Sequence, residues 1–210
     1  METFLPLALI LGLVLFLFTA CGTSGSGVEK TEDRTVEAFS SVILQGMGKI
    51  DATVGPAHAL KIRTDDNLLP LVKTTVEGGV LTVELPKNAS TSIGVNLTLQ
   101  TPTLESAVVE GAIQIAVAGH TAGSFSLSAR GASKATLTGA LETATLDCEG
   151  AVSVDATALQ AKNMVVKLKG AGKADVTASE TLDITIEGVG KVTYAGDPHV
   201  TPKLDGVGKI

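Results

Sequence analysis

The segments Glu149-Gly150-Ala151-Val152-Ser153-Val154 and Lys169-Gly170-Ala171-Gly172-Lys173-Ala174 are two copies of a short pattern that decides the fold. Further copies share the same frame, and from Gly111 onward the numbers of their glycines rise in steps of 20, 19, 20, 18 and 18. A repeat of about 18–20 residues is typical of proteins in which each unit stacks on its neighbours and buries a continuous core. The glycines at the shared position, which we predict to be structural, are Gly46, Gly111, Gly131, Gly150, Gly170, Gly188 and Gly206.

Apolar residues alternate with other residues on both sides of the shared glycine, which is the period of a β-strand. Around Gly150, for example, Cys148 and Leu146 precede the glycine by two and four positions, and Val154 follows it by four. We predict that these side chains and their equivalents in other copies, including Tyr194, point into a core. Each shared glycine then occupies a corner with positive φ or a close backbone approach. The pattern therefore predicts an all-β solenoid with coils of about 18–20 residues.

The residue before the shared glycine alternates in charge along the chain. Neighbouring coils in register lie about 4.8 Å apart, so opposite charges would meet at four successive steps. We interpret this charge ladder as a control of register, because a slip by one coil would bring like charges together. The residues of the ladder are Glu110, Arg130, Glu149, Lys169, Glu187 and Asp205.

Three lysines that follow the shared glycine by three positions form a candidate basic strip. They are Lys173, Lys191 and Lys209. Such a strip would attract a polyanion, for instance the phosphates of lipopolysaccharide. The alternative, which we favour, is a solvated face whose charge is balanced by Asp155 and Asp175.

The segment from Lys203 to Ile210 is expected to form an exposed edge of the stack. Unpaired backbone groups at such an edge pair with another chain unless charged side chains prevent it. Lys203, Asp205 and Lys209 offer that protection, whereas Val207 and Ile210 offer apolar surface. We therefore expect a weak homo-oligomer through this edge.

An apolar run over residues 4–20 ends at Cys21, and the stretch Phe18-Thr19-Ala20-Cys21 resembles the lipobox of bacterial lipoproteins. We predict a signal peptide over residues 1–20 and lipidation of Cys21, which makes the membrane one partner. An uncleaved membrane anchor and ordinary cleavage are the alternatives. Residues 21–34, which begin with a Gly/Ser-rich stretch, are predicted to be a flexible tether.

Residues 35–100 are strand-rich but irregular, and Glu77-Gly78-Gly79 between two alternating runs predicts a hairpin. We expect this part to form an N-terminal cap on the regular coils of residues 101–210, because solenoids need atypical ends that hide their edges. The expected organisation is a single domain over residues 35–210.

The segment Gly46-Met47-Gly48-Lys49-Ile50, the stretch 76–83 and the serial Gly-x-Gly-Lys endings resemble the family described as putative auto-transporter adhesin, head GIN domain. The resemblance extends over roughly residues 35–210. It implies an exported bacterial protein with a right-handed parallel β-helix-like fold that follows a strand-rich portion. It implies no particular binding residues.

The 210 residues carry a net charge of −6 and only 3% aromatic side chains, which argues against binding to nucleic acid. No zinc-binding, Ser/His/Asp or phosphate-loop motif occurs. Cys148 would lack a disulfide partner once Cys21 is acylated, so we interpret it as a small buried residue. We predict no catalytic residue, no metal ligand and no cofactor.

The predicted function is that of a non-catalytic, lipid-anchored adhesion or binding module of the cell envelope. We place it at the outer membrane, facing the periplasm or the cell surface, with an unidentified surface or envelope partner. One alternative is a structural or accessory envelope protein that works through protein partners or self-association. A polysaccharide-active enzyme is a minor alternative, because such short coils leave little chain for catalytic loops.

Overall fold

The computed structural model describes residues 22–120 and 123–210, and most of this part of the chain is β-strand. The all-β prediction is confirmed for these residues; a single 3-10 turn occurs among them, at Leu69–Leu71. The predicted signal peptide and Cys21 lie outside the described residues. The strands are β1 (Thr23–Ser24), β2 (Glu29–Arg34), β3 (Ser41–Val54), β4 (Ala59–Asp65), β5 (Lys73–Glu77), β6 (Val80–Glu84), β7 (Ala89–Ser90), β8 (Val95–Thr101), β9 (Ser106–His120), β10 (Ser124–Ala195) and β11 (His199–Lys209).

Strand β10 is continuous over 72 residues, which would extend for roughly 240 Å if it were straight. It is not straight, because glycines that lie 18–20 positions apart within it are in contact with one another. Gly131, Gly150, Gly170 and Gly188 have φ between 101° and 116°. The chain changes direction at these glycines, and successive glycines lie against one another.

Consecutive copies of the repeat pair in parallel and in register. Gly46 of β3 is opposite Gly111 of β9, and Gly111 is opposite Gly131 of β10. At the other end, Gly188 of β10 is opposite Gly206 of β11. The isolated early copy thus pairs directly with the first regular copy, although five strands separate the two in the sequence.

Strands that precede β9 in the sequence pair with β3 and with one another. Because some of these pairs are parallel and others antiparallel, the sheet is mixed. The first half of β3 pairs in parallel with β6, and its second half pairs in parallel with β8. Strand β4 is antiparallel to both β8 and β2. The predicted hairpin is confirmed, because β5 and β6 are antiparallel and are joined at Gly78 and Gly79, both with positive φ.

One core runs through the stack, and its residues occupy the alternating positions that the sequence predicts. Leu127, Leu146, Val166 and Ile184, which precede their glycines by four positions, are all buried. Tyr194 is an exception, because its side chain is 41% exposed. The prediction for Tyr194 is wrong for a topological reason: β11 covers only Thr181–Lys191, so it does not reach as far as Tyr194.

The segment predicted to be a flexible tether is largely ordered against the domain. Strand β2 takes up Glu29–Arg34 and pairs with β4 along its whole length. Two cross-strand ion pairs accompany the backbone pairing: Arg63 Nη1 lies 3.0 Å from Glu29 Oε1, and Lys61 Nζ lies 3.3 Å from Asp33 Oδ1. The charges that suggested a solvated linker therefore belong to an edge strand, where charged side chains discourage pairing with other chains.

Candidate functional site

The shared glycines form a column in which backbone touches backbone. A Cβ atom on Gly131 would lie 2.6 Å from the carbonyl oxygen of Gly111, and one on Gly150 would lie 2.5 Å from that of Gly131. Any larger residue would displace the neighbouring layer, besides adopting an unfavourable positive φ. Gly46 differs, because no atom lies within 4 Å of the position that its Cβ would take. The column thus fixes how closely the layers approach.

The first side chains of the charge ladder, which directly precede the shared glycines, are joined by hydrogen bonds and ion pairs. Gln45 Nε2 donates to Glu110 Oε2 over 2.9 Å, and Arg130 Nη1 lies 2.8 Å from Glu110 Oε1. Arg130 Nε lies 3.6 Å from Glu149 Oε2 in the next layer. Each of these exposed pairs is worth less than about 1 kcal/mol, so the row is better suited to fixing register than to adding stability.

The candidate basic strip is not uniformly basic. Lys173 Nζ lies 2.6 Å from Asp175 Oδ2, and Lys49 Nζ makes a similar ion pair with Asp51 at the other end of the stack. Lys191 is in register with Lys209. In the described part of the chain neither of these two lysines has a carboxylate within ion-pair distance. The three lysines therefore divide into one neutralised residue and two adjacent unpaired cations.

Asp155 belongs to the same outward face as Lys173. Its side chain accepts a hydrogen bond of 2.7 Å from Thr157 Oγ1 and one of 3.2 Å from the Thr157 amide. These hydrogen bonds, followed by the positive charges of Lys173 and Lys134, lower the pKa of Asp155 below its ordinary value. The face is thus a polar surface that carries both signs of charge.

A buried carboxylate, Asp65, is the feature that the sequence analysis missed. Its two oxygens accept hydrogen bonds of 2.6 Å from Thr91 Oγ1 and from Ser92 Oγ, of 2.7 Å from the Gly27 amide, and of 3.2 Å from the Ser92 amide. Burial by itself would raise the pKa of Asp65, but the hydrogen bonds from Ser92, Thr91 and Gly27 outweigh it. Together they hold the pKa of this carboxyl well below its usual range.

The neighbours of Asp65 hold the preceding segment as well. The Ser26 amide donates to Asn67 Oδ1 over 3.0 Å, and Asn67 Nδ2 donates to the Ser24 carbonyl over 2.8 Å. The same segment is also bound to β7, because the Gly25 amide donates to the Ser90 carbonyl over 2.7 Å. We call this arrangement around Asp65 the N-terminal clamp. Residues 22–28, immediately after the predicted lipidation site, are thereby fixed to the domain.

Three further side chains that could carry chemistry lie in structural environments. Cys148 is a free, buried thiol, as predicted, and burial together with the negative charge of Asp147 raises its pKa to about 12. Glu142, a carboxylate on the outside of the stack, is paired with Lys162 at 2.9 Å. His58 contacts the ring of Phe39, with 5.5 Å between the ring centres.

Residues 22–120 and 123–210 contain neither a cluster of metal-binding side chains nor a helix that could cross a membrane. No group of three or more His, Cys, Asp and Glu side chains in these ranges is arranged to hold a metal ion. No helix in the same ranges has the length and the hydropathy that crossing a membrane requires.

Comparison with solved structures finds chains of similar fold. A putative adhesin from Bacteroides fragilis aligns with a TM-score of 0.74 and 22% identity, covering 90% of this chain and 99% of the other. A putative adhesin from Parabacteroides merdae aligns with a TM-score of 0.54 and 16% identity, covering 90% and 98% of the two chains. A putative lipid binding protein from Parabacteroides distasonis aligns with a TM-score of 0.51 and 19% identity, covering 89% and 98%. These likenesses concern the fold.

A comparison with curated proteins found no match. The family model described as putative auto-transporter adhesin, head GIN domain matches residues 38–198, from just before β3 to just before β11. This range includes six of the seven glycines of the column, all but Gly206, and it makes up more than half of the chain. The chain therefore belongs to the putative auto-transporter adhesin, head GIN domain family.

Proposed function

We propose that this protein is a non-catalytic, lipid-anchored adhesion or binding module of the cell envelope. The observation that carries the proposal is the parallel pairing of β3 with β9, of β9 with β10 and of β10 with β11, in which the shared glycines lie opposite one another and which provides repetitive outer faces. Family membership supports an exported protein at the cell surface or in the envelope. Rigid repeat stacks with extended exposed faces are suited to binding other surfaces.

The proposed architecture of the domain, over residues 35–210, is a right-handed parallel β-helix with coils of about 18–20 residues. The positive-φ corners of β10 and the close contact between successive glycines support it, because the chain must return to the same position after each coil. The part over 35–100 caps one end, with β2 as the last strand of the sheet. The right hand is the one that the family resemblance implies.

The proposed anchor is an acyl group on Cys21, with residues 1–20 removed by cleavage. The N-terminal clamp refines this proposal, because it leaves only Gly22 between the anchor and the first clamped strand, β1. The β3 end of the stack would then lie against the membrane, and the β11 end would point away from it.

Fractionation of cells tests the anchor. Cys21→Ser should move the protein from the membrane fraction to the soluble fraction, and intact-mass analysis of the wild type should show acyl chains. An unmodified wild-type chain that starts at another residue would exclude the anchor.

The contact surface that we propose is the polar face around Asp155, Lys173 and Asp175. Exposed charges of both signs suit contact with a broad polar surface better than turnover of a small substrate. The carboxylates of this face are also engaged with Thr157 or Lys173, which supports a non-catalytic role.

Attachment of intact cells to one another and to a polystyrene surface tests this role. Cells that carry Lys173→Ala with Asp175→Ala should attach less well than wild-type cells, by several fold. The matched control is Lys162→Ala with Glu142→Ala, which removes an equivalent exposed ion pair from another part of the stack and should leave attachment unchanged. Equal attachment by all three strains would contradict the proposed face.

Protease added to intact cells decides between a surface protein and a periplasmic one. An adhesin should be cut while a periplasmic marker protein remains intact. Protection of the protein in intact cells, followed by cleavage after the outer membrane is opened, would favour the alternative, a structural or accessory envelope protein.

A further inference from the structure

The two outward charged columns of the stack both end on a pair of like charges at β11. Asp205 is in register with Glu187, and Lys209 is in register with Lys191. In the described part of the chain, neither Asp205 nor Lys209 has an oppositely charged side chain within ion-pair distance. Earlier in the ladder, by contrast, Arg130 lies between Glu110 and Glu149. The last strand therefore breaks the alternation with which the ladder begins.

Apolar side chains are exposed beside these charges. Val207 is 75% exposed and lies in register with Val189, which is itself 63% exposed. Leu204 is 51% exposed although it occupies a core-facing position, two residues before the shared glycine. Ile210, four residues after that glycine, is 39% exposed. Strand β11 is paired with β10 on one side and is the last strand in the order of the sheet, so no strand of residues 22–120 and 123–210 pairs with its other edge.

We propose that this edge binds the same edge of a second copy, antiparallel, about a two-fold axis that passes through Val207. In this register a residue and its partner have numbers that add up to 414, so Asp205 faces the partner's Lys209 and Leu204 faces the partner's Ile210. The edge is complementary to itself: two ion pairs and two apolar contacts form, and the two Val207 side chains meet on the axis. An interface of this kind uses one patch on both subunits.

The register also satisfies the geometry of the stack. Asp205, Val207 and Lys209 occupy outward positions, whereas Leu204 and Ile210 occupy core-facing ones, so every contact joins side chains of the same face. The two glycines beside Val207 flank the axis symmetrically, so Gly206 of each copy faces the partner's Gly208 and no side chain separates the two backbones there. The negative charge of Asp205 gains a cation, and the positive charge of Lys209 gains an anion. Both charged columns then continue into the second copy with opposite charges facing each other.

Crosslinking of the full-length protein after extraction into detergent tests the axis, because two copies anchored in one membrane would point their β11 ends in the same direction. Val207→Cys should form a disulfide-linked dimer on mild oxidation, because directly opposed Cβ atoms in an antiparallel pair lie about 4.5–5.5 Å apart. Lys203→Cys is the matched control, since the partner's Lys203 would be eight positions away along the strand, or roughly 27 Å. The wild type controls for Cys21 and for the buried Cys148. A dimer with Lys203→Cys as strong as that with Val207→Cys, or none with either, would overturn the proposal.

Charge reversal separates the intermolecular contacts from effects within one chain. Asp205→Lys improves the charge match with Glu187 of its own chain but sets two lysines against each other in the dimer. It should weaken the Val207→Cys crosslink by roughly tenfold, and Lys209→Asp should do the same. The double variant restores both intermolecular ion pairs and should recover the crosslink. Failure of the double variant to recover it, with melting temperatures unchanged, would contradict the register.

Discussion

The amide of Gly27 donates a hydrogen bond of 2.7 Å to the buried carboxylate of Asp65, across 38 residues of sequence. This bond joins the segment after the predicted lipidation site to the end of β4. It accompanies three further hydrogen bonds from Thr91 and Ser92, so a single carboxylate holds two otherwise separate segments. The clamp makes the segment that was predicted to be a linker a part of the domain.

Asp65→Asn should release the N-terminal clamp. An amide has one acceptor oxygen where the carboxylate has two, and its NH2 group would face donors, so we expect a loss of about 3 kcal/mol in the free energy of unfolding. Limited proteolysis should then cut within residues 22–28, which we expect to be protected in the wild type. Asp183→Asn, on an exposed outward position of β10, is the control and should change neither stability nor cleavage. Unchanged protection in Asp65→Asn would show that the backbone pairing of β1 and β2 holds the segment without the carboxylate.

The stability that Asp65 contributes should depend on pH in a defined direction. Its pKa in the folded protein lies below the ordinary value of 3.8, so the unfolded chain binds the proton more readily. The contribution is therefore fully present above about pH 5 and decreases as the pH falls below that range. In denaturant titrations, the difference between the wild type and Asp65→Asn should be constant from pH 5 to pH 8 and should shrink at lower pH. A difference that grows on acidification would contradict the assigned hydrogen bonds.

Gly150→Ala should destabilise the stack severely. Its φ of 104° disfavours any side chain, and the new Cβ would lie 2.5 Å from the carbonyl oxygen of Gly131. We expect a loss of more than about 3 kcal/mol, the sum of backbone strain and steric overlap.

Two further glycines separate these causes. Gly46 has a φ of 109° but free space around its Cβ, so Gly46→Ala should show the strain alone, about 1–2 kcal/mol. Gly172 has no positive φ, and its nearest contact would be 3.4 Å, so Gly172→Ala should be nearly neutral. Thermal unfolding of the three variants measures the order of their losses in stability. Equal losses in all three would contradict the close contact in the column.

Val166→Asp should unfold the protein or cost several kcal/mol, because Val166 is fully buried and a carboxylate there would lie among apolar side chains. Lys167→Asp changes the adjacent outward position, which is exposed, and should alter the melting temperature only slightly. Circular dichroism during heating compares the two. Similar losses in both variants would mean that the assignment of inward and outward positions is wrong.

The repeat was predictable from sequence because it depends on local and periodic features. A glycine that recurs at steps of 18 to 20, with alternation on both sides of it, determines which copies pair and which side chains are buried. Leu146 and Val166 follow that rule. The hairpin at Gly78 was predictable for the same reason, since turn chemistry is local.

The clamp was not predictable, because it rests on contacts between distant residues. Asp65 is separated by 38 residues from Gly27 and by 27 from Ser92. Asp, Gly and Ser are all residue types that are common in surface turns, so none of the three suggests a buried contact when taken alone. Periodicity also failed at Tyr194, since burial there depends on whether another strand covers the position. Long-range pairing and the ends of a stack carry no periodic signal.

The glycine column has an evolutionary consequence, because a new layer needs only its two neighbours. Duplication of one repeat unit would insert a layer whose glycine corner already fits those above and below, and the molecule would grow by about 4.8 Å. In the proposed β-helix, the distance between the β3 end and the β11 end can therefore change in whole layers, while the clamp and the terminal edge stay as they are. Duplication or loss of repeat units would therefore change the length of the molecule without changing the structure of either end.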